Sequence, residues 1–162
     1  MIEIKPLESR ITKWQEVSYE IENLFFERQL ANLSFKRFVV KDGDAIIGAG
    51  QYTFVSEECV LINAIHVAEN ERRIALGEGL LRAMLNSAEI SGAKSAIFIG
   101  NEIERAFYRH VLSGQCEDFD KDKVCVVVDK AYDLDSVDLA DAIVLPSIMA
   151  FFDQPCKGTK KK

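Results

Sequence analysis

Histidine is scarce in this chain: His66 and His110 are the only two among 162 residues. That scarcity argues against a zinc centre built on clustered His and Cys, and no metal is expected. The four cysteines, Cys59, Cys116, Cys125 and Cys156, are scattered and include no CxxC pair. In a chain of this length, free thiols are expected rather than a disulfide framework. Positive charge is also short, with 20 Lys and Arg against 26 Asp and Glu for a formal net charge of -6. An acidic balance argues against a nucleic-acid-binding surface; it suits solubility and tolerates a cationic substrate such as an amine. No apolar run reaches the roughly 18 residues of a membrane helix. The opening "MIEIKPLESR" lacks the apolar centre of a secretory signal. A cytoplasmic protein with no membrane partner is the expectation.

What is present is enough apolar material for one core. Apolar residues make up 48% of the chain and charged residues 28%, which fits one domain over residues 1–162. "IEIK" (2–5) alternates like a short strand and stops at Pro6. From Leu7 to about Arg28 the apolar residues Ile11, Trp14, Val17, Ile21, Leu24 and Phe25 recur at helical steps. "SFKRFVVK", "AIIGAGQYTFV" and "CVLINAIHV" then read as three strands. "DGD" (42–44) and "SEE" (56–58) turn between them, so they form an antiparallel meander. Leu76, Leu80, Leu81, Met84, Leu85 and Ala88 trace one face of a helix that Gly92 stops. "AKSAIFIG" is a strand. "NEIERAFYRHVL" is a helix expected to bury Ile103, Ala106, Phe107 and Val111. "KVCVVV" (123–128) is a last strand. Asp135 and Ser136 are candidate caps of a final helix that Pro146 kinks or splits, and the basic tail 157–162 reads as disordered. The fold class expected is α/β of the α+β kind: a mixed, mostly antiparallel central sheet with helices on both faces. A doubly wound nucleotide fold would alternate strand and helix from the start.

The stretch "HVAENERRIALGEGLL" (66–81) sets two arginines and two glycines between a strand and a helix. A helix start leaves backbone N–H groups without partners and carries partial positive charge. Glycine lets a phosphate approach the backbone, and arginine adds charged donors. Arg72 to Gly79 are therefore a candidate pyrophosphate cradle. The plainer alternative is that Gly77 and Gly79 permit close helix–sheet packing while Arg72 and Arg73 are solvated.

These residues resemble the GNAT family of N-acetyltransferases, whose signature is Arg/Gln-x-x-Gly-x-Gly/Ala at the start of the helix after the fourth strand. Here it reads Arg72-Arg73-Ile74-Ala75-Leu76-Gly77, with Ala75 in place of the first glycine. A second family pattern, N-x-x-A-x-x-[LF]-Y, is met by Asn101 and Tyr108 in "NEIERAFY", with Glu104 where the family has Ala. The likeness runs over residues 35–114. After 114 it fades, since the family ends in two strands and only one clear strand is legible here.

The resemblance implies an enzyme that transfers an acetyl group from acetyl-CoA to a primary amine of a small molecule, peptide or protein. It also implies where acetyl-CoA would sit. Backbone groups near Ile65, His66 and Val67 would pair with the pantetheine arm. Amides from Arg73 through Ile74, Ala75, Leu76, Gly77, Glu78 and Gly79, with Arg72 beside them, would bind the pyrophosphate, and Asn101 would contact the cofactor. Tyr108 would be the general acid for the leaving thiolate; its alternative is a ring packed in the core with its hydroxyl in solvent.

The base is less defined. Glu58 is the candidate chosen, although Glu57 and Glu58 are most simply turn residues. Asn63 could order a water, and His66 has a suitable intrinsic pKa but is more often an ordinary strand histidine. Cys59 reads as buried filler and His110 as a surface residue. A CoA-binding sensor without turnover is the alternative function, and a generic α/β domain with packing glycines a third. The acceptor is not legible. "LPSIMAFFDQPC" covers the sheet, lines an acceptor pocket or makes a homodimer contact, with core packing the default.

Overall fold

The structure, a computed structural model, describes residues 2–7, 23, 28, 34–68, 74–120 and 139–153. Strand β1 (Ile2–Pro6) pairs antiparallel with β2 (Lys36–Asp42), and β2 with β3 (Ala45–Phe54). Asp42 opposes Ala45 across a two-residue loop. Gly43 takes φ +60 in that loop, a conformation that costs a residue without Cβ nothing. β3 pairs antiparallel with β4 (Cys59–Val67), so the meander expected from the alternating runs is present. The 56–58 turn closes through Val55 N–H donating to the Cys59 carbonyl at 2.9 Å.

Helix α1 (Ile74–Ile90) follows. It stops where Gly92 turns to φ +107, with the Gly92 and Ala93 amides bonding back to Glu89 and Ala88. Strand β5 (Ser95–Phe98) then runs parallel to β4, the one parallel pairing among the described strands. Helix α2 (Glu102–Val111), strands β6 (Glu117–Asp118) and β7 (Ile143–Leu145), and the short helix α3 (Ile148–Phe152) complete the described elements. The seven strands are ordered β1-β2-β3-β4-β5-β7-β6.

The main core lies under the three described helices. Phe38, Val40, Tyr52, Val60 and Ile62 of the sheet meet Leu80, Leu81, Met84 and Leu85 of α1, Tyr108 of α2 and Phe151 of α3. Their period in the helix is 3–4 and in the strands 2, which is why one face of each element is apolar. The other sheet face carries Val39 with Ala49, and Val55, Cys59 and Leu61 with Ile97. The helix expected over Leu7 to Arg28 lies outside the described residues, apart from Leu7, Asn23 and Arg28.

Two expectations need correction. Helix α2 buries Glu104, Tyr108 and Val111, whereas Ile103 is 72% exposed and Ala106 is exposed and Phe107 half-buried. The helix is rotated by its polar anchor: Glu104 faces inward onto Arg28 at 2.8 Å. Turning Ile103 in would leave Arg28 uncompensated against the sheet.

The second correction is at the C-terminus. Pro146 does not interrupt a helix but ends β7. Proline has no N–H for a ladder, and Ser147 then caps α3 through the Ala150 amide. Among the described residues, β6 and β7 follow β5 in the chain. Residues 123–128, Asp135 and Ser136, and the tail 157–162 lie outside the described residues.

Candidate active site

The sheet opens between β4 and β5. Their ladder runs from Cys59–Ser95 to Ile62–Phe98, and the Ile99 amide adds a bond to the Ile62 carbonyl at 3.0 Å. Past that point the chain leaves β5 for α2, while β4 continues to Val67 along β3. β4 also bulges there: Gln51 opposes Ala64 and Tyr52 opposes Ile62, so Asn63 is the extra residue. A bulge bends its strand and increases its twist, which turns Ile65, His66 and Val67 away from β5. The result is a wedge whose β4 side is extended backbone.

Tyr108 sits at the apex of the wedge. Its ring lies 4.9 Å from that of Phe98, the last residue of the ladder, and 6.0 Å from Phe107. It is 0% exposed, and its hydroxyl is buried without a hydrogen-bond partner among the described residues. Burial pushes the phenol well above the ordinary tyrosine range; the Glu104 charge adds to that and the Arg28 charge opposes it. A buried, unsatisfied hydroxyl costs about 1–3 kcal/mol, so the fold holds a neutral donor in place at a price that a bound acceptor would remove.

A polar network borders this apex. Arg28 donates from Nη1 to the Asn63 carbonyl at 2.7 Å and from Nη2 to Glu104 Oε1 at 2.8 Å. Asn63 Nδ2 donates to the Arg28 carbonyl at 2.7 Å. Gln51 Nε2 donates to Asn63 Oδ1 at 3.0 Å, and Arg37 Nε to Gln51 Oε1 at 3.2 Å. Asn101 and Glu104 close a capping box on α2. The Glu104 amide donates to Asn101 Oδ1 at 2.9 Å and the Asn101 amide to Glu104 Oε1 at 3.1 Å. Asn101 is thus the N-cap of α2, and its Nδ2 donors are what it has left to offer a ligand.

The tip of α1 is the other half of the candidate site. A helix that begins at Ile74 leaves the amides of its first turn without intrahelical acceptors; those of Glu78 and Gly79 come a turn later and bond back inside the helix. Gly77 and Gly79 have a packing reason to be glycine. A Cβ on Gly77 would lie 2.9 Å from Phe107 Cζ, and one on Gly79 3.1 Å from Ile4 Cδ1. Glu78 is fully buried with Oε2 3.0 Å from Arg82 Nε, and the Arg82 guanidinium lies 4.6 Å from the centre of the Phe151 ring. Ala75 is exposed and Leu76 half-buried. Arg72 and Arg73 lie outside the described residues.

Glu58 is not brought to Tyr108. It lies on the exposed turn before β4 and pairs with Lys94 at 3.1 Å. It is four residues from Ile62, roughly 13 Å at the rise of a strand. A carboxylate at the closed end of the ladder cannot act at the open end. His66 is half-buried opposite Ala49. His110 is exposed. Cys59 and Cys116 are free thiols, and burial pushes the Cys59 thiol up to about 11, so it is no nucleophile. Among the described residues no His, Cys, Asp or Glu cluster gathers as a metal site, and no helix is long and apolar enough to cross a membrane.

Sequence reasoning missed Arg28, which read only as the end of a helical pattern. It noted Glu104 as a departure from alanine without seeing its use. The signal was there: Asn101-x-x-Glu104 is the spacing of a capping box.

The model of the acetyltransferase (GNAT) family matches residues 3–112, and the chain belongs to that family. No curated protein matches it. Several solved structures share the fold. A GNAT family acetyltransferase from Elizabethkingia anophelis, with acetyl-CoA bound, is 19% identical at a TM-score of 0.53 over 89% of this chain and 95% of its own. N-acetylglutamate synthase from Neisseria gonorrhoeae, complexed with coenzyme A and N-acetyl-glutamate, is 15% identical at 0.62 over 89% of this chain and 34% of its own. An aminoglycoside acetyltransferase from an uncultured soil metagenomic sample, in complex with sisomicin, is 18% identical at 0.52 over 67% of this chain and 86% of its own. The chain spans 43% of a tandem GNAT protein from the clavulanic acid biosynthesis pathway. At these identities the likeness is one of fold.

Proposed function

We propose that this chain transfers an acetyl group from acetyl-CoA to a primary amine, with Tyr108 as the general acid. The observation that carries this is the Tyr108 hydroxyl, buried without a partner among the described residues at the apex of the β4–β5 wedge. Such a donor needs an acceptor, and a thioester sulfur reaching the apex supplies one.

Acetyl-CoA would enter with its pantetheine arm along the backbone of Ile65, His66 and Val67, like an added strand. Its diphosphate would meet the first-turn amides of α1, Ile74 to Leu76, together with Arg72 and Arg73. The amides of Gly77, Glu78 and Gly79 belong to the helix body; there the glycines keep Phe107 and Ile4 close. Asn101 would contribute its Nδ2 donors at the mouth. The amine nitrogen attacks the acetyl carbon and the C–S bond breaks. The sulfur takes the Tyr108 proton, and the nitrogen gives up one proton, which restores the phenol. Glu58 has no part in this step.

Two of the solved proteins that share this fold hold acetyl-CoA or coenzyme A, which supports the choice of donor. The acceptor proposed is a small-molecule amine or a peptide or protein amine, the protein is proposed to be cytoplasmic, and a homodimer is a further expectation. The test is thermal unfolding with coenzyme A and acetyl-CoA, followed by a screen of amines and peptide N-termini. Ligand at a hundred times its Kd adds about 2.7 kcal/mol, which raises Tm by roughly 5–10 °C for a chain of this size. Tyr108→Phe should keep that shift and lose turnover by about 10²-fold or more. A shift with no acetylation of any amine would identify a CoA-binding module instead; no shift would contradict acetyl-CoA as the donor.

A further inference from the structure

The polar network beside Tyr108 has a charge arrangement that the transfer step can use. Arg28 is half-buried, with 26% of its side chain exposed, against Glu104 at 9%. It spans 35 residues to the Asn63 carbonyl and 76 to the Glu104 carboxylate. Asn63 is the bulged residue at the mouth of the wedge, and Glu104 lies one turn before Tyr108 on the same buried face of α2. Arg28 therefore bridges the two sides of the opening.

Glu104 accepts from the Asn101 amide as well as from Arg28. A Cβ on Gly100 would lie 2.8 Å from Glu104 Cβ, so glycine at that position leaves the space the Glu104 side chain fills. The pair is thus fixed from two directions. A fixed guanidinium has a use here. When Tyr108 gives its proton to sulfur, a phenolate forms in a site sealed from water. Glu104 alone would oppose that charge, and Arg28 offsets it.

We propose that Arg28 is a positioning residue of the acyl transfer. Seated on Glu104 and on the Asn63 carbonyl, it holds positive charge beside Tyr108 for the moment its proton leaves. This rests on the acid role given to Tyr108 above. The O–H bond of Tyr108 breaks, an S–H bond forms on the coenzyme, and the phenolate persists, offset by the Arg28 charge, until the amine's proton returns to it. Glu104 sets where Arg28 stands, and the rings of Phe98 and Phe107 pack against that of Tyr108.

The experiment is the ionisation of Tyr108 in the full chain labelled with 3-fluorotyrosine. It is read by fluorine resonance and needs no acceptor. The chain has four tyrosines, and the Tyr108 signal is the one missing from Tyr108→Phe. Arg28→Gln should raise its midpoint by a pH unit or more, Arg28→Lys should stay near the native value, and Glu104→Gln should lower it. A midpoint that does not move in Arg28→Gln overturns the proposal; if the phenol stays protonated up to melting, the rate of acetyl transfer to the amine found in the screen is read instead, and an Arg28→Gln rate equal to the native one overturns it. So does an Arg28→Lys that behaves like Arg28→Gln, which would mean that the hydrogen-bonded shape matters and the charge does not. Coenzyme A calorimetry and melting curves on the same variants check that each is folded. A native chain that binds no acetyl-CoA, or a Tyr108→Phe that turns over normally, would instead sink the acid role while leaving the measured Arg28 effect in place.

Discussion

Single residues carry much of what holds the wedge open. Asn101 caps α2 and Glu104 returns the bond. Asn101→Ala should lower stability by about 1 kcal/mol, read as a lower urea midpoint with unchanged slope. Gly50 has less freedom still: a Cβ there would lie 2.8 Å from Met84 Sδ and 3.1 Å from the Ala64 carbonyl. One neighbour is backbone, so Gly50→Ala should cost about 1–3 kcal/mol by overpacking, in the same unfolding assay. The site was legible at this scale only where spacing itself carried it. Asn101 and Tyr108 stand seven apart in the sequence and share α2 in space. Arg28 has no such spacing; only the fold brings it to Glu104, 76 residues on. Glu58 shows the matching limit: closeness in sequence to β4 does not say at which end of the strand a side chain stands, and it lies on the turn before β4, paired with Lys94.

At the scale of elements, patterns with one clear period were legible. The "DGD" turn, the span of β4 at 59–67 and the Gly92 stop all stand where alternation and glycine put them. Helix α2 shows the limit. Its apolar residues Ile103 and Ala106 suggested one face, but the buried ion pair chose another, and burial of charge leaves no mark in a hydrophobic period. Unfolding data can test that rotation. Ile103→Ala should change stability by no more than about 0.5 kcal/mol, while Leu112→Ala, at a position that is 0% exposed, should cost about 2–5 kcal/mol. Equal costs would mean that the helix is turned the other way. β7 is three residues long, and its place beside β5 is decided by a long-range pairing rather than by local sequence; a run that short reads equally well as part of a helix.

Across the whole molecule, buried acids that prefer their neutral form set a common pH response. Burial raises the pKa of Tyr108 and Tyr52, and takes Cys59 from 9.0 to about 11. A raised folded pKa contributes stability that is complete below the unfolded pKa and is lost as pH rises through the folded one. The chain should therefore lose stability above about pH 9 on account of Cys59, with the tyrosines adding to the loss higher up. Cys59→Ala should remove the first part of that slope, measured as Tm against pH. The larger consequence of the sheet's architecture is the wedge itself, and a crystal structure of the full chain with acetyl-CoA tests it most directly. The thioester sulfur is expected about 3 Å from Tyr108 Oη, with the pantetheine arm along Ile65 to Val67 and the diphosphate at the first turn of α1. Coenzyme lodged elsewhere, or a Tyr108 hydroxyl still without a partner in the complex, would contradict the assignment.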